Sequence, residues 1–313
     1  MSPTDRKPTL SHRVEIGAVH ALRLAVRGLG RRGGDLLGRT LGGLAFRLGV
    51  RRDVVLDHLR RSFPDQDERW VLRTARASYS HLGREAATML RLLDAVPDTI
   101  RRMTEVEGLD DVRAALEEGH GVVLVTGHLG NWEIGGSALA VRGVPIDGVA
   151  QRQANPLFEA LLQRARDRLG MRIIERSRAS REALRSLRAG RLVAFVADQD
   201  GRGSGVFVPF MGRAASTHRG PALMALRTGA PIFFGVALRA VGGYQVRLRR
   251  VQTDRSGPTE DAVRRMTAAF TAVLEEEVRR MPGQYFWQHK RWKTRPREAG
   301  GGDEAGGGGG AGG

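Results

Sequence analysis

The 313-residue chain contains no cysteine. That absence excludes disulfide scaffolds, thiolate zinc sites, iron–sulfur clusters and a covalent cysteine nucleophile together. Lysine is scarce as well: Lys7, Lys290 and Lys293 are the three among 51 basic residues. Positive charge therefore rests on guanidinium forks, which suit phosphate and carboxylate oxygens. Acidic residues number 34, leaving a net charge of +17 and the expectation of a polyanionic neighbour, nucleic acid or anionic lipid. No apolar run reaches the roughly eighteen residues of a membrane span, and the first residues lack the apolar stretch and small-residue cleavage site of a secretory signal. The expectation is a cytosolic protein, or one lying on a membrane from its cytosolic side.

What is present suffices for a sizeable core, with 41% hydrophobic residues. Residues 14–48 read as two helices separated by Arg31-Arg32-Gly33-Gly34, the second carrying Leu37, Leu41, Leu44 and Leu48 on one face. Arg23, Arg27 and Arg31 line another face, and the first 62 residues hold 13 Lys/Arg against 5 Asp/Glu. A basic amphipathic pair of this kind suits a lipid interface; packing of the leucines on the rest of the chain is the alternative. A long helical pattern over 66–93 follows, opening after Pro64 and ending before Pro97.

Beyond Gly108 the texture changes. Short apolar runs at 121–126, 144–150, 192–197, 231–237 and 244–251 alternate with helical patterns at 109–118, 132–141, 156–169, 178–188, 220–228 and 259–281. That alternation predicts an α/β core. The expected organisation is an N-terminal membrane-associating helical region over 1–105, an α/β domain over 106–296 and a flexible Gly-rich tail over 297–313.

The informative stretch is 122–133, VVLVTGHLGNWE. An apolar strand runs into Thr126-Gly127-His128, and Gly130-Asn131 leads into a helix opening near Trp132, the strand-end position where α/β proteins place ligands. On a continuous helix His128 and Glu133 would stand roughly 140° apart at 3.6 residues per turn. With His128 in the loop and Glu133 in the first helical turn, the carboxylate is expected to reach back to one imidazole nitrogen and leave the other as a base.

The stretch GHLGNWE resembles the His-x4-Asp/Glu motif of glycerolipid-type acyltransferases, and its Gly-Asn-Trp-Glu form resembles the late acyltransferases of lipid A biosynthesis, the lauroyl and myristoyl transferases. Three further blocks match that family in order: Gln151-Arg152-Gln153-Ala154-Asn155-Pro156; Asp198-Gln199-Asp200 through Val206-Phe207-Val208-Pro209-Phe210-Met211-Gly212; and Gln284-Tyr285-Phe286-Trp287 through Lys290-Arg291-Trp292-Lys293-Thr294-Arg295-Pro296. The resemblance covers roughly residues 106–296. It implies a glycerolipid-acyltransferase-like mixed sheet flanked by helices, preceded by the amphipathic helical region.

It also implies an O-acyltransferase in which His128 is the general base and Glu133 its partner. Gly130, Asn131, Trp132, Arg152, Gln153, Asp198, Gln199 and Asp200 are the residues expected at the substrates. Backbone N–H groups at the start of the Trp132 helix, or the Arg152 guanidinium, would hold the oxyanion. Asp198 and Asp200 end an apolar strand at the same rim, but no further ligand set stands at metal-binding spacing, so acceptor orientation or structure is their expected task. The segment 202–217 is a candidate wall for an acyl chain, or else core. The other seven histidines, His12, His20, His58, His81, His120, His218 and His289, are expected at the surface or in the core.

The implied donor is an acyl thioester of acyl carrier protein or coenzyme A, with no cofactor; the implied acceptor is an anionic glycolipid such as a lipid A precursor. The expected location is the cytoplasmic face of the inner membrane, peripheral or monotopic, because the spanning apolar segment common near the start of such proteins is missing. Acylation of a phosphatidylinositol mannoside is the nearest alternative. A catalytically silent lipid-binding relative is another. Nucleic-acid binding has the charge in its favour, but the basic residues are scattered and no readable motif is present.

Overall fold

The structure, a computed structural model, describes residues 8–296; the Gly-rich segment 297–313 lies outside the described residues. Five helices come first: α1 (Leu10–Gly28), α2 (Gly30–Arg47), α3 (Arg52–Ser62), α4 (Glu68–Leu92) and α5 (Pro97–Met103). The break between the first two falls at Leu29, where Gly30 takes a positive φ of 65°, and not at the Arg-Arg-Gly-Gly stretch, which forms the first turn of α2.

The α/β part runs β1 (Thr104–Glu107), α6 (Leu109–Glu117), β2 (Val122–Thr126), α7 (Trp132–Ala140), β3 (Ile146–Ala150), α8 (Pro156–Arg168), β4 (Arg172–Glu175), α9 (Ala179–Arg188), β5 (Leu192–Val196), β6 (Val206–Phe210), β7 (Arg213–Thr217), α10 (Gly220–Thr228), β8 (Ile232–Arg239), β9 (Tyr244–Arg250) and α11 (Thr259–Arg280). Seven strands form one sheet in the order β1-β9-β8-β2-β5-β3-β4. The β8–β9 pair is antiparallel and the other neighbours are parallel. This is the mixed sheet expected from the alternation of apolar runs and helices.

Strand β2 shows why both faces are covered. Val123 and Val125 belong to a core with α9, α10 and α11, while Val122 and Leu124 belong to a second core with α5, α6 and α7. A strand buried on both faces reads as an unbroken apolar run because alternate side chains enter different cores. The segment 202–217, a candidate acyl-channel wall or else core, contains the β6–β7 hairpin and falls to the core alternative: Phe210 and Met211 belong to the first core, and Val208 is buried as well.

The helices α2 and α4 pack through glycine. Gly34, Gly38 and Gly42, with Phe46, are the buried face of α2. A Cβ on Gly38 would stand 2.4 Å from the Gly83 carbonyl oxygen, and one on Gly42 would stand 2.1 Å from that of Tyr79. Backbones this close leave the leucines no inward room. Leu36, Leu41, Leu44 and Leu48 are exposed, and Leu37 is half-buried.

Candidate active site

Parallel pairing of β2 with β5 sets the site. Thr126 stands opposite Val196, so the chain two residues beyond each strand end arrives at the same place. His128 follows β2 and Asp198 follows β5. The Asp198 carboxylate accepts from the His128 backbone N–H at 2.7 Å through Oδ2, and its Oδ1 lies 2.7 Å from the imidazole Nδ1. Gly127 permits the approach, since a Cβ there would lie 3.1 Å from Asp198 Cβ and 2.9 Å from Leu274.

Both groups are largely removed from water. Burial works to lower the His128 pKa, but the charge and hydrogen bond of Asp198 outweigh it and hold the pKa above the ordinary 6.5. Burial likewise favours the neutral form of Asp198, and the imidazole overcomes it, so the carboxylate stays below its ordinary range. The two shifts agree on a buried carboxylate that stabilises imidazolium. Nδ1 is thereby occupied, and Nε2, with the Gln199 amide 3.4 Å away, is the nitrogen left for chemistry.

Glu133 takes a different partner. His128 does lie in the loop and Glu133 in the first turn of α7, but the carboxylate turns to α8, where both oxygens accept from the Arg166 guanidinium. The expected Glu133–imidazole contact is therefore corrected: the fork of Arg166 satisfies Glu133 bidentately, and Asp198, 70 residues from the histidine, occupies Nδ1.

The loop itself is braced from behind. Gly130 has φ of +67°, and a Cβ there would stand 2.0 Å from the Ala237 carbonyl oxygen, so only glycine fits. Asn131 caps α7 by accepting from the Ile134 N–H at 3.0 Å, and its amide donates to Glu85 of α4 at 2.7 Å. Glu85 also accepts from Arg239 Nε and the Tyr244 hydroxyl, each at 2.6 Å, and Arg239 continues to Asp35 of α2 at 3.2 Å. Gly130 and Asn131 are thus committed to the loop's own structure.

His128, Trp132 and Glu133 line a cavity of about 470 Å³. Its walls include Leu124, Leu139, Ile146, Met171 and Leu248, with Gly136 of α7 facing Met171 so closely that a Cβ would meet it at 2.8 Å. Besides His128 and Glu133, its polar members are Thr126, Gln151, Gln153, Arg166, Arg176, Gln199 and His218. Volume and mixture are those of a small-molecule site. A smaller cavity of about 130 Å³ on the other side of the loop is lined by His81, Leu82, Phe286 and again by His128 and Trp132.

Arg152 is exposed and is not among the cavity's lining residues, although Gln151 and Gln153 on either side are. Asp200 is buried away from the cavity, where it accepts from the Arg202 N–H, the Thr294 N–H and the Thr294 hydroxyl while its own N–H donates to His289. It anchors the C-terminal block on the β5 end. Asp198 and Asp200 therefore serve different partners. His58 is a core histidine whose Nδ1 lies 3.1 Å from the Trp287 carbonyl oxygen, its pKa pushed down to about 4 chiefly by burial. His81 and His218 are the histidines that join the site without a local signal, each reaching it from an element far along the chain.

A mixed α/β sheet with an imidazole–carboxylate couple at the strand ends, at the wall of a partly apolar cavity, is an arrangement that can accept a proton beside a small-molecule pocket. The sequence matches the family model of the bacterial lipid A biosynthesis acyltransferases over residues 4–294. It is 30% identical over 270 residues to the lipid A biosynthesis lauroyltransferase of Escherichia coli K12, covering 83% of this chain and 85% of that one. It is 30% identical over 203 residues to the palmitoleoyltransferase of the same organism, 64% of this chain and 65% of the relative. Over 168 residues it is 30% identical to a phosphatidylinositol mannoside acyltransferase of Mycolicibacterium smegmatis, 52% of this chain and 54% of the relative. The chain belongs to the bacterial lipid A biosynthesis acyltransferase family and is an acyltransferase.

Proposed function

We propose that the protein moves a fatty acyl group from a thioester to a hydroxyl of an anionic glycolipid, with His128 as general base and Asp198 as its partner. The hydroxyl oxygen attacks the thioester carbonyl carbon while His128 Nε2 takes its proton. The tetrahedral oxyanion collapses, the C–S bond breaks, and the imidazolium returns the proton to the departing thiolate. The products are an ester and a free thiol. A positioned base of this kind contributes about 10²–10⁴ in rate.

The observation that carries the reading is the His128–Asp198 couple at the wall of the 470 Å³ cavity. The apolar walls suit the acyl chain. The Trp132 and Glu133 N–H groups of α7, which have no intrahelical acceptor and are not taken by the Asn131 cap, supply oxyanion donors in place of the exposed Arg152. Glu133 and Arg166 hold α7 against α8 and so keep the cavity wall in place. Gln199 and Gln153 orient the acceptor at the polar end.

A lipid A precursor is the acceptor this reading favours, because the relative covered over most of its length is named for lipid A acylation. A phosphatidylinositol mannoside is the second reading, carried by the mycobacterial relatives. The protein would work at the cytoplasmic face of the inner membrane. Among the described residues no helix is long and apolar enough to cross a bilayer, and the outward leucines of α2 with Leu10, Val14, Leu22 and Leu24 of α1 suit interfacial seating.

The test is turnover of an acyl thioester with each glycolipid. His128→Ala should lose at least about 10²-fold in kcat while folding as the wild type. Equal turnover in the two proteins would refute the base assignment, and the accepted lipid decides between the acceptors.

A further inference from the structure

We propose that Glu85 is a positioning residue for the acyl transfer: an acceptor-only carboxylate that fixes which way the Asn131 amide points, and with it the first N–H groups of α7 beside His128. The inference rests on the acyl-transfer reading above and adds a residue that acts through another. Glu85 is buried, and its two oxygens meet three donors. Oε1 accepts from Arg239 Nε at 2.6 Å, while Oε2 accepts from the Asn131 amide at 2.7 Å and from the Tyr244 hydroxyl at 2.6 Å. Burial works to raise the Glu85 pKa, but the charges of His81 and Arg239 and the hydrogen bonds from Arg239 and Tyr244 outweigh it and hold the carboxyl below its ordinary range. His81 is itself held below its ordinary 6.5 by burial, so Arg239 is the standing charge. Both Glu85 oxygens therefore accept and neither donates.

An ionised carboxylate at that point settles the Asn131 amide. Its NH2 must face Glu85, so its oxygen faces α7, where it accepts from the Ile134 N–H at 3.0 Å. The Trp132 and Glu133 N–H groups ahead of Ile134 are left without an intrahelical acceptor, on residues that share the cavity wall with His128. Turning the amide over would set oxygen against oxygen at Glu85 and donor against donor at Ile134. The same face of α4 carries His81, whose Nε2 lies 3.4 Å from the Gly130 carbonyl oxygen, so two side chains one turn apart bear on two successive residues of the loop. Arg239 has other partners in Asp35, Thr88 and Tyr244. Among the described residues the Asn131 NH2 donates to no side chain but Glu85.

The polarity of this contact can be reversed without changing its shape. In Glu85→Gln the amide oxygen is drawn to the charged Arg239, which leaves an NH2 facing the Asn131 NH2. Tyr244 can adapt, because its oxygen already accepts from Arg239 and its hydrogen can turn towards Thr88 Oγ1, 3.4 Å away. Asn131 cannot, because turning it uncaps Ile134. In Asn131→Asp two carboxylates face each other. In Glu85→Gln/Asn131→Asp the new amide donates to the new carboxylate, whose other oxygen still caps α7.

The experiment compares the wild type, both single variants and the double variant, measuring kcat and KM with an acyl thioester and a glycolipid acceptor and recording fluorine NMR spectra after fluorotryptophan labelling. Trp132, its ring centroid 4.5 Å from that of His128, reports the loop, and its resonance among the four tryptophans is assigned with Trp132→Phe. Each single variant should lower kcat about tenfold or more with KM within about threefold, and move the Trp132 resonance; the double variant should recover kcat to within about threefold and return the resonance. Single variants with wild-type kcat, or with lowered kcat and an unmoved resonance, would overturn the proposal. So would a double variant no better than the worse single one, which would make Glu85 an anchor for Arg239 only. Should a single variant fail to fold, the double variant decides: folded with the resonance restored, it supports the proposal, and unfolded, it overturns it. If the wild type transfers no acyl group while the resonance moves in the single variants and returns in the double, the positioning stands and the acyl-transfer reading fails.

Discussion

Asp198 and Glu133 are both buried carboxylates near one imidazole, and substitution separates their duties. In Asp198→Asn the charge that raises the His128 pKa is gone and burial, which lowers it, acts alone. The acidic limb of kcat/KM, which reports neutralisation of the base in the free enzyme, should then move to lower pH, with kcat reduced by about 10²-fold or more. Glu133→Gln should leave that limb where it is, because the carboxylate does not touch the ring. It strands the Arg166 charge in a buried site instead and should cost about 3–5 kcal/mol of stability, read by denaturant unfolding. A limb that moves in Glu133→Gln and stays in Asp198→Asn would restore the pairing expected from local spacing. His128 itself was legible because a strand, two glycines and a helix start surround it within ten residues. Asp198 was placed at the same rim, but its pairing with the ring was not legible, because the contact depends on which strand lies beside β2, and Asp198 follows β5, 70 residues away.

At the level of elements, legibility followed burial. The strands β2, β5 and β8 lie inside the sheet and show as apolar runs. The edge strands β1 and β4 have four residues each, TEVE and RIIE, and too little buried surface to leave a pattern. The hairpin β6–β7 carries Pro209 and a run of small residues, so its texture left channel wall and core both open, and the fold puts Phe210 in the core. The α2–α4 contact left no apolar signature, and the leucine stripe, whose first reading is a lipid interface and whose second is inward packing, stays largely outward. A leucine stripe usually marks the inward face of a helix, but here glycines take that face. Gly42→Ala should therefore force the two backbones apart and cost about 1–3 kcal/mol, whereas Gly43→Ala, where a Cβ meets nothing within 4 Å, should gain up to about 1 kcal/mol from the better helix former. Equal melting shifts for the two would remove the close-packing account.

For the whole molecule, two kinds of cationic surface stand apart. On α9 the exposed Arg181, Arg185 and Arg188 stand without an exposed large apolar residue, while α1 and α2 join arginine to exposed leucine. The second has the combination of cations and apolar groups that suits a lipid interface. The asymmetry makes a quantitative expectation. Attachment through α1 and α2, as proposed, would contain a salt-sensitive part, from exposed charges screened over about 8 Å at physiological ionic strength, and a salt-resistant part from apolar insertion. Sedimentation with anionic vesicles should weaken as salt rises and still not vanish, and Leu41→Asp/Leu44→Asp should abolish the residue that remains at high salt. The same substitutions should leave the His128–Asp198 couple intact, because neither leucine reaches the network that runs from Asp35 through Arg239 and Glu85 to Asn131. Turnover of a detergent-dispersed acceptor should then stay within about twofold of wild type while turnover of vesicle-bound acceptor collapses. Vesicle binding unaffected by the double substitution would place the lipid-facing surface elsewhere on the fold.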